Sequence, residues 1–299
     1  MRETVAVVEC DNYNLHNILT CIEKIFEYLE IDLSQLGKKG IIVKPNLLME
    51  AKPEAAVTTH PAVVDSVVKI LKRVNSDIII GDSPGYNGSF DDLANTTGMK
   101  KISEANQVPL IDLGKAPTYP IKIKNISQEF PISQYVKNRY VISVPKAKVS
   151  RGVLLTCGVK NTFGCVAGEA KKQLHAYARE AAIFYSSLNE ICKEVNPVLT
   201  IVDAVSIMEG NGPDAGEEAH LGLLFGGTNP FAVDVAVAIS LGLNPLAIGN
   251  LRYHYDFPLA KDDEIELIGI KKERFPLYKP KLPHILSGNF LKWEPPRLD

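Results

Sequence analysis

The stretch PKAKVSRGVLLTCGVKNTFGCVAGEAKKQLH, residues 145–175, lies between two strongly apolar segments and combines lysines, small residues, two cysteines and a histidine. The apolar run Val141–Val144 in front of it predicts a buried strand, and Pro145 ends that strand. Lys146 and Lys148 therefore follow the carboxyl end of a strand, which is where open α/β sheets bind their ligands. The stretch predicts both a fold class and the position of a site within it.

The cations of this stretch are candidates for holding an anion. Lys146 and Lys148 point to the same side if the chain stays extended, because side chains alternate along a strand. Lys160 and Asn161 follow in a glycine-bounded turn, and His175 lies on the next predicted helix. A single surface lysine or histidine is usually structural or solvated. Their density among small apolar residues favours an anion-facing site.

Polar residues also follow two earlier strands of the predicted sheet. Lys44 and Asn46 come directly after the buried run Ile41–Val43, and Asp82 follows the run Asp77–Ile80. We expect all three side chains to bind substrate, since the carboxyl ends of parallel strands meet at one edge of a sheet.

The sequence Thr58–Pro61 predicts the start of a helix, with a threonine in capping range and proline in the first turn. His60 lies at this start, and a helix N-terminus favours anions. His60 is therefore a candidate substrate-binding residue, although capping alone explains the segment equally well.

Three carboxylates stand out in the second half of the chain. Asp203 follows the predicted strand Val198–Val202, and Glu209 opens the glycine-rich loop Glu209–Glu217, in which Asn211 is a candidate substrate contact. The loop contains the pattern G-x-G-x-x-A, but it does not open a helix, so we interpret it as a mobile lid rather than a dinucleotide site. Asp234 stands alone in an apolar helix, and an unpaired buried carboxylate is costly. We expect a lysine or a metal as its partner.

The order of the predicted elements indicates an α/β fold with a mostly parallel central sheet covered by helices, because buried strands alternate with amphipathic helices. The region 117–135 predicts a small antiparallel excursion. Residues 1–250 are expected to form the domain, and residues 251–299, rich in charge and proline, a C-terminal tail packed on it.

Composition narrows the classes of partner. The 299 residues are 45% hydrophobic and 23% charged with a net charge of −2, so nothing indicates nucleic acid as a partner. The start of the sequence lacks the pattern of a signal peptide and no apolar run reaches membrane-spanning length, which favours a cytoplasmic protein without membrane contact. The five cysteines include no C-x-x-C pair, so no iron–sulfur cluster is expected within one chain.

Nine segments, in this order, resemble the prokaryotic family called domain of unknown function 362. They extend over most of the chain up to about Leu246: Lys44–Asn46, Thr59–Pro61, Gly81–Pro84, Pro145–Lys148, Lys160–Gly164, His175, Ile201–Asp203, Met208–Pro213 and Pro230–Asp234. Some members of that family carry an appended ferredoxin-like iron–sulfur segment, which this chain lacks. Members often have a histidine shortly after the lysine pair, where this chain has Ser150 and Arg151.

Two interpretations of function remain open at this point. In the preferred one, the chain is an enzyme that acts on a small anion, a carboxylate or phosphate, by acid–base or metal-assisted chemistry. Its catalytic candidates are His175, Lys160 and Glu209, and Asp203 and Asp234 are candidate ligands for a divalent metal. In the alternative, the chain is a non-catalytic cofactor-binding or accessory module for an iron–sulfur or other redox partner. The residue types do not separate the two, and they do not indicate an oligomeric state.

Overall fold

A computed structural model describes residues 2–85, 88–124, 126–177, 181–253, 265–270 and 272–283, except for the side chains of residues 175–177. Ten strands of this part form one sheet, in which eight follow the order β12-β1-β11-β10-β7-β2-β3-β4 and the hairpin β8–β9 is attached to β10. The strands are β1 Glu3–Glu9, β2 Ile41–Pro45, β3 Ile78–Asp82, β4 Leu110–Asp112, β5 Thr118–Lys122, β6 Glu129–Ser133, β7 Tyr140–Val144, β8 Lys146–Ser150, β9 Leu154–Thr156, β10 Leu199–Glu209, β11 Glu217–Gly227 and β12 Ile265–Ile268.

Helices connect these strands. They are α1 Leu15–Tyr28, α2 Leu33–Leu36, α3 Pro61–Leu71, α4 Phe90–Thr96, α5 Met99–Asn106, α6 Gln134–Lys137, α7 Gly158–Asn161, α8 Ala170–Tyr177, α9 Ala181–Val195, α10 Pro230–Ser240 and α11 Gly249–Arg252. Short 3-10 turns occur at Pro53–Ala55, Thr162–Cys165, Pro245–Ala247 and Lys272–Arg274.

The predicted fold class is confirmed, because most neighbouring strands of the sheet run parallel. β2 pairs in parallel with both β3 and β7, and β10 pairs in parallel with β7 and β8. Antiparallel pairing is found where β11 lies between β1 and β10. The predicted antiparallel excursion is the separate two-stranded sheet of β5 and β6. The carboxyl ends of the central parallel strands therefore meet at one edge.

Helices cover both faces of the sheet, and alternate residues of each strand divide between two cores. Ile41 and Val43 of β2 pack in the same core as Ile22 of α1 and Val67 of α3. Ile42 faces the opposite side, where it belongs to the core that contains Ile191 of α9. Because both faces are buried, the strands are apolar throughout instead of alternating with polar residues.

The hairpin β10–β11 differs from the prediction of an irregular loop at 209–217. β10 continues to Glu209 and β11 begins at Glu217, with Met208 opposite Glu218 in the antiparallel register, so only residues 210–216 form the connecting turn. The pairing of two long strands over eleven residues each overrides the glycine-rich composition of the turn. The helical region after residue 169 contains α8 and α9, and residues 178–180 between them lie outside the described part.

The region predicted as a C-terminal tail is described in residues 251–253, 265–270 and 272–283, and the remainder lies outside the described residues. Its strand β12 pairs in parallel with β1 at the edge of the main sheet. Farther on, the Gly210 amide donates to the Lys281 carbonyl at 2.8 Å, which ties this segment to the β10–β11 turn. Among the helices that the structure describes, none combines the length and the apolar character needed to cross a membrane.

Close packing between β11 and α1 gives a test of this fold. Gly226 lies against Ile25, and a Cβ atom built on Gly226 would come within 2.1 Å of the Ile25 Cγ2 atom. We expect Gly226→Ala to lower the free energy of unfolding by about 1–3 kcal/mol, as overpacking does in other cores. Urea denaturation measures the change.

The matched control is Gly152→Ala, because nothing lies within 4 Å of a Cβ atom at Gly152. This control is expected to show no loss of stability. The double variant Ile25→Ala/Gly226→Ala should lose less than the sum of the single variants, since Ile25→Ala removes the colliding methyl group. Strict additivity would contradict the packing of β11 against α1.

Candidate functional site

A cavity of about 340 Å³ lies at the carboxyl edge of the central strands. Among the described residues, its walls contain five lysines and a single carboxylate, that of Asp82, together with small and apolar residues. The lining consists of Lys44, Asn46, Leu48, Asp82, Ser83, Gly85, Lys148, Gly152, Thr156, Lys160, Asn161, Phe163, Gly164, Lys171, Lys172 and Pro213. We call this space the lysine cavity. Its charge makes it complementary to an anion.

An ion pair between Lys44 and Asp82 forms the floor of the lysine cavity. The Lys44 Nζ atom lies 2.8 Å from the Asp82 Oδ1 atom, and both side chains are almost completely buried. Asp82 also accepts a hydrogen bond from the Leu47 amide at 2.6 Å. Gly164 leaves room for this pair, because a Cβ atom there would lie 2.0 Å from the Asp82 Oδ1 atom. The one carboxylate of the cavity is thus already neutralised by one of its lysines.

Asn161 and Asn46 shape the same floor. Asn161 accepts a hydrogen bond from the Lys44 Nζ atom at 3.1 Å, and its amide group donates to the Lys44 carbonyl and to the Ser143 hydroxyl. The Asn46 side chain accepts from the Leu48 amide at 3.3 Å. Both asparagines therefore fix the loops around the strand ends as well as lining the cavity.

Lys148 is buried at the cavity without a carboxylate partner among the described residues. Its Nζ atom donates to the carbonyl of Val57 at 2.8 Å and to that of Pro213 at 3.4 Å. Burial lowers the pKa of Lys148 to about 7, and repulsion from Lys160 and Lys146 acts in the same direction. A protonated ammonium has three N–H donors, and the two carbonyls use two of them, so the third is available to a ligand.

Lys160 lines the cavity half-buried, and its amine has no hydrogen-bond or ion-pair partner in the part of the chain that the structure describes. Burial lowers its pKa to about 8. It lies on α7, whose first amides, those of Gly158 and Val159, donate to the Asp234 carboxylate at 2.6 and 3.2 Å. Lys160 is consequently carried on a fixed turn with its amine left available.

Asp234 is buried, and no lysine among the described residues pairs with it, whereas the expected metal stays a prediction. Its carboxylate caps α7 by accepting hydrogen bonds from two backbone amides. Burial raises the pKa of Asp234 to about 7 even though these amides favour the charged form. Its role in the structure is to hold the turn that carries Lys160.

Lys171 and Lys172 complete the cationic wall. Neither was among the predicted site residues. Lys171 donates to the carbonyl of Ser83 and, at 3.5 Å, to that of Pro84, and burial lowers its pKa to about 8. Lys172 is exposed at the rim and pairs with Glu169. The signal that could have identified them is their position in the same cation-rich stretch, at the start of a helix after a glycine.

Lys146 lies outside the lining of the lysine cavity. Its Nζ atom lies 3.1 Å from the Asp203 Oδ2 atom in a fully buried ion pair, and it donates to the Tyr13 hydroxyl at 2.7 Å. Tyr13 donates in turn to Asp203 at 2.8 Å. No local pattern indicated Tyr13 as a site residue, because it meets Asp203 across 190 residues of chain. We call these three residues the buried triad.

His60 adjoins the buried triad and begins α3. Its Nδ1 atom accepts a hydrogen bond from the Ala62 amide at 3.2 Å, its own amide donates to Asp203 at 2.8 Å, and its ring stacks on that of Tyr13. Histidine is therefore the capping residue, not the threonine that was expected. Burial lowers the pKa of His60 to about 4. Its assignment to substrate binding stays a prediction.

Glu209 and Asn211 are not part of the cavity lining among the described residues, and His175 cannot be placed relative to it. Glu209 is buried against the C-terminal segment, where it accepts from the Tyr278 hydroxyl and the Lys281 amide, each at 2.9 Å. Asn211 lies in the β10–β11 turn. His175 lies in α8, but its side chain is outside the described part of the structure. The catalytic roles of Glu209 and His175 stay predictions.

The described residues contain no cluster of three or more His, Cys, Asp or Glu side chains arranged to hold a metal ion. Asp203 is occupied by Tyr13, Lys146 and the His60 amide, and Asp234 by the amides of α7. A metal at either carboxylate would have to displace these donors. The five cysteines, predicted not to hold an iron–sulfur cluster, are all buried thiols, and that prediction remains untested.

Comparison with known proteins gives a family, a relative by sequence and a structural neighbour. The family model described as "Domain of unknown function (DUF362)" matches residues 41–239. A thylakoid-associated protein from Synechocystis sp. is 29% identical over 251 residues, which are 83% of this chain and 77% of that protein. The lactate racemase apoprotein from Thermoanaerobacterium thermosaccharolyticum is a structural neighbour with a TM-score of 0.47 and 12% identity, covering 76% of this chain and 54% of that one.

The two lysines of β8 are expected to differ in how much stability is lost when their charge is removed. Lys146→Met leaves the buried Asp203 without its ion-pair partner and should lower the free energy of unfolding by about 3–5 kcal/mol. Lys148→Met removes a buried cation that has no carboxylate partner among the described residues. The gain from no longer burying that charge offsets the lost hydrogen bonds, so the free energy of unfolding should change by about 1 kcal/mol or less. Urea denaturation of both variants at pH 7 measures the difference. Equal losses would contradict the division into a buried triad and a lysine cavity.

Proposed function

We propose that this chain, which belongs to the DUF362 family, binds a small carboxylate or phosphate in the lysine cavity and acts on it by acid–base chemistry. The observation that carries the proposal is the amine of Lys160, which lines the cavity without a partner among the described residues. An amine in that position can meet a ligand directly. The other cavity residues fix where the ligand would lie.

The charge balance of the cavity supports an anion as the ligand. Five lysines line it, and the single carboxylate, Asp82, already pairs with Lys44. Burying an ammonium group without a counter-charge is unfavourable, and lysines in that situation respond with a lowered pKa. Lys148, Lys160 and Lys171 all show this response. A bound anion would supply the missing counter-charge to all three.

The pKa of Lys160 supports an acid–base role. A general acid or base works best when its pKa is close to the working pH, and burial brings the pKa of Lys160 to about 8. Both protonation states of its amine are then populated near neutral pH. Lys148 and Lys171 are held by backbone carbonyls, which suits them to fixing the anionic group while Lys160 exchanges a proton with it.

The size and walls of the cavity limit the ligand to a small molecule. A volume of about 340 Å³ is at the lower end of typical small-molecule sites. Leu48, Phe163 and Pro213 provide apolar surface opposite the cations. A ligand with one anionic end and a short carbon body matches both surfaces.

Anion binding should be accompanied by proton uptake. At pH 8 the free amines of Lys148, Lys160 and Lys171 are partly neutral, since their pKa values are about 7 to 8. A bound anion favours the charged form and raises these pKa values, so protons are taken up. Sulfate is a suitable probe because it does not itself titrate in this range.

Calorimetric titration of sulfate at pH 8 in buffers of different ionisation enthalpy measures that uptake. We expect a clear buffer dependence at pH 8 and little at pH 6, where all three amines are already charged. Heats that are the same in every buffer at pH 8 would contradict the proposed ligand contacts.

Lys160→Met separates a site role from a structural one. It removes the charge but keeps most of the apolar stem, so the fold should be retained while sulfate affinity falls. A charge-assisted hydrogen bond is worth about 1.5–3 kcal/mol, which corresponds to a loss of roughly ten- to more than a hundredfold in affinity. Calorimetric titration and thermal melting of the same sample measure both quantities.

Lys101→Met is the matched control, because Lys101 is an exposed lysine of α5 that is not part of the cavity lining. It removes the same charge from the chain and should leave sulfate affinity unchanged. A fall in melting temperature for Lys160→Met with wild-type affinity in the folded fraction would reject the assignment of Lys160 to the site.

A further inference from the structure

We infer that the ligand of the lysine cavity is an oxo acid, with a carbonyl group next to its carboxylate, and that Lys160 forms an imine with that carbonyl. The inference rests on the proposed function, because it needs an anion site at the same residues. It adds a substrate class and a covalent step to that function.

Lys160 is the lysine of the cavity whose amine is free to attack. Lys44 pairs with Asp82 and also donates to the Pro45 carbonyl, and Lys171 donates to the Ser83 and Pro84 carbonyls. Lys148 donates to the carbonyls of Val57 and Pro213, and the rim residue Lys172 pairs with Glu169. These contacts hold each of the four amines in place and restrict its approach to a carbonyl carbon. Lys160 has no such contact among the described residues.

A second cation close to the amine of Lys160 also favours nucleophilic attack, and Lys148 provides that cation. The two amines are near enough for Lys160 to lower the pKa of Lys148. An amine becomes a nucleophile near neutral pH when it is desolvated or lies next to another cation. Lys44, Asp82, Lys171 and Lys172 are the other charged groups of the cavity, and their sum is also positive. Burial favours the neutral amine of Lys160, and the cations around it can hold the carboxylate of the oxo acid.

The contacts that fix α7 also hold Lys160 in position. Asp234 caps the turn that carries Lys160, and Gly158 approaches Asp234 so closely that a Cβ atom there would lie 2.9 Å from its Oδ1 atom. Covalent catalysis requires the nucleophile to be held at a defined distance from the bound substrate. Asp234 is therefore a positioning residue that acts through the backbone of α7.

The step conserves atoms and electrons without an oxidant or reductant. The lone pair of the neutral Lys160 amine attacks the carbonyl carbon, and the carbonyl π electrons move to oxygen, which takes up a proton to give a carbinolamine. The nitrogen loses a proton, the hydroxyl group leaves as water after protonation, and a protonated imine remains. Lys148 can accept the proton that the nitrogen loses and donate it to the leaving hydroxyl, and the other proton taken up by the oxygen comes from solvent. The cationic nitrogen then withdraws electrons from the carbon next to the carboxylate.

Reductive trapping with pyruvate as the probe tests the inference. The purified protein is incubated at pH 8 with pyruvate and sodium cyanoborohydride, which reduces an imine to a stable secondary amine, and peptide mass spectrometry locates the modified lysine. We expect modification at Lys160 to exceed that at any other lysine, and to be suppressed by excess sulfate. Acetone, which has the carbonyl but not the carboxylate, should give little modification at Lys160.

Three variants define the controls. Lys160→Met should lose the site-specific product, Lys148→Met should reduce its rate at least tenfold because the carboxylate is no longer held, and Lys101→Met should behave as wild type. Circular dichroism checks that each variant is folded, and the mapping on the wild-type chain does not depend on any variant. Modification spread evenly over exposed lysines, unchanged in Lys160→Met, would overturn the inference.

Competition between pyruvate and sulfate separates failure of this inference from failure of the proposed function. If pyruvate displaces sulfate but is not trapped at Lys160, the anion site stands and the imine is rejected. If neither pyruvate nor sulfate binds, the proposed function fails and the imine fails with it.

Discussion

The site depends on an imbalance of buried charge at the carboxyl edge of the central strands. The lysine cavity holds five lysines and one carboxylate, and that carboxylate is neutralised by Lys44. Burial of the remaining amines is costly and lowers the pKa values of Lys148, Lys160 and Lys171. A fold selected for stability alone has no need for such an arrangement. A bound anion relieves the imbalance, and for this reason we interpret the cavity as a ligand site.

Lys146 and Lys148 differ in whether a carboxylate of the described residues lies within reach of the buried amine. Both lie on β8 two residues apart, and both are almost completely buried. Lys146 has a carboxylate within reach in Asp203 and belongs to the buried triad with Tyr13. Lys148 has carbonyl oxygens as its described partners and lines the cavity. We therefore assign a structural role to Lys146 and propose a ligand-binding role for Lys148.

Much of the fold and part of the site follow from local sequence, because strands of a doubly covered parallel sheet are continuously apolar and their ends carry the ligand-facing residues. This reasoning brought Lys44, Asp82, Lys148 and Asn161 to one edge, where the structure places them together. Contacts between distant segments cannot be derived in this way. The pairing of Tyr13 with Asp203, the amides that cap α7 through Asp234 and the contact of Glu209 with the C-terminal segment all join residues at least 69 positions apart.

The protonation state of Lys160 is the most direct test of the account. Its amine can be followed by NMR in protein labelled at the lysine side chains, with the resonance assigned by its loss in Lys160→Met. The account predicts a titration midpoint near 8 for the free protein and a higher midpoint when sulfate is bound. A midpoint at the ordinary lysine value of about 10.4, unaffected by sulfate, would contradict it.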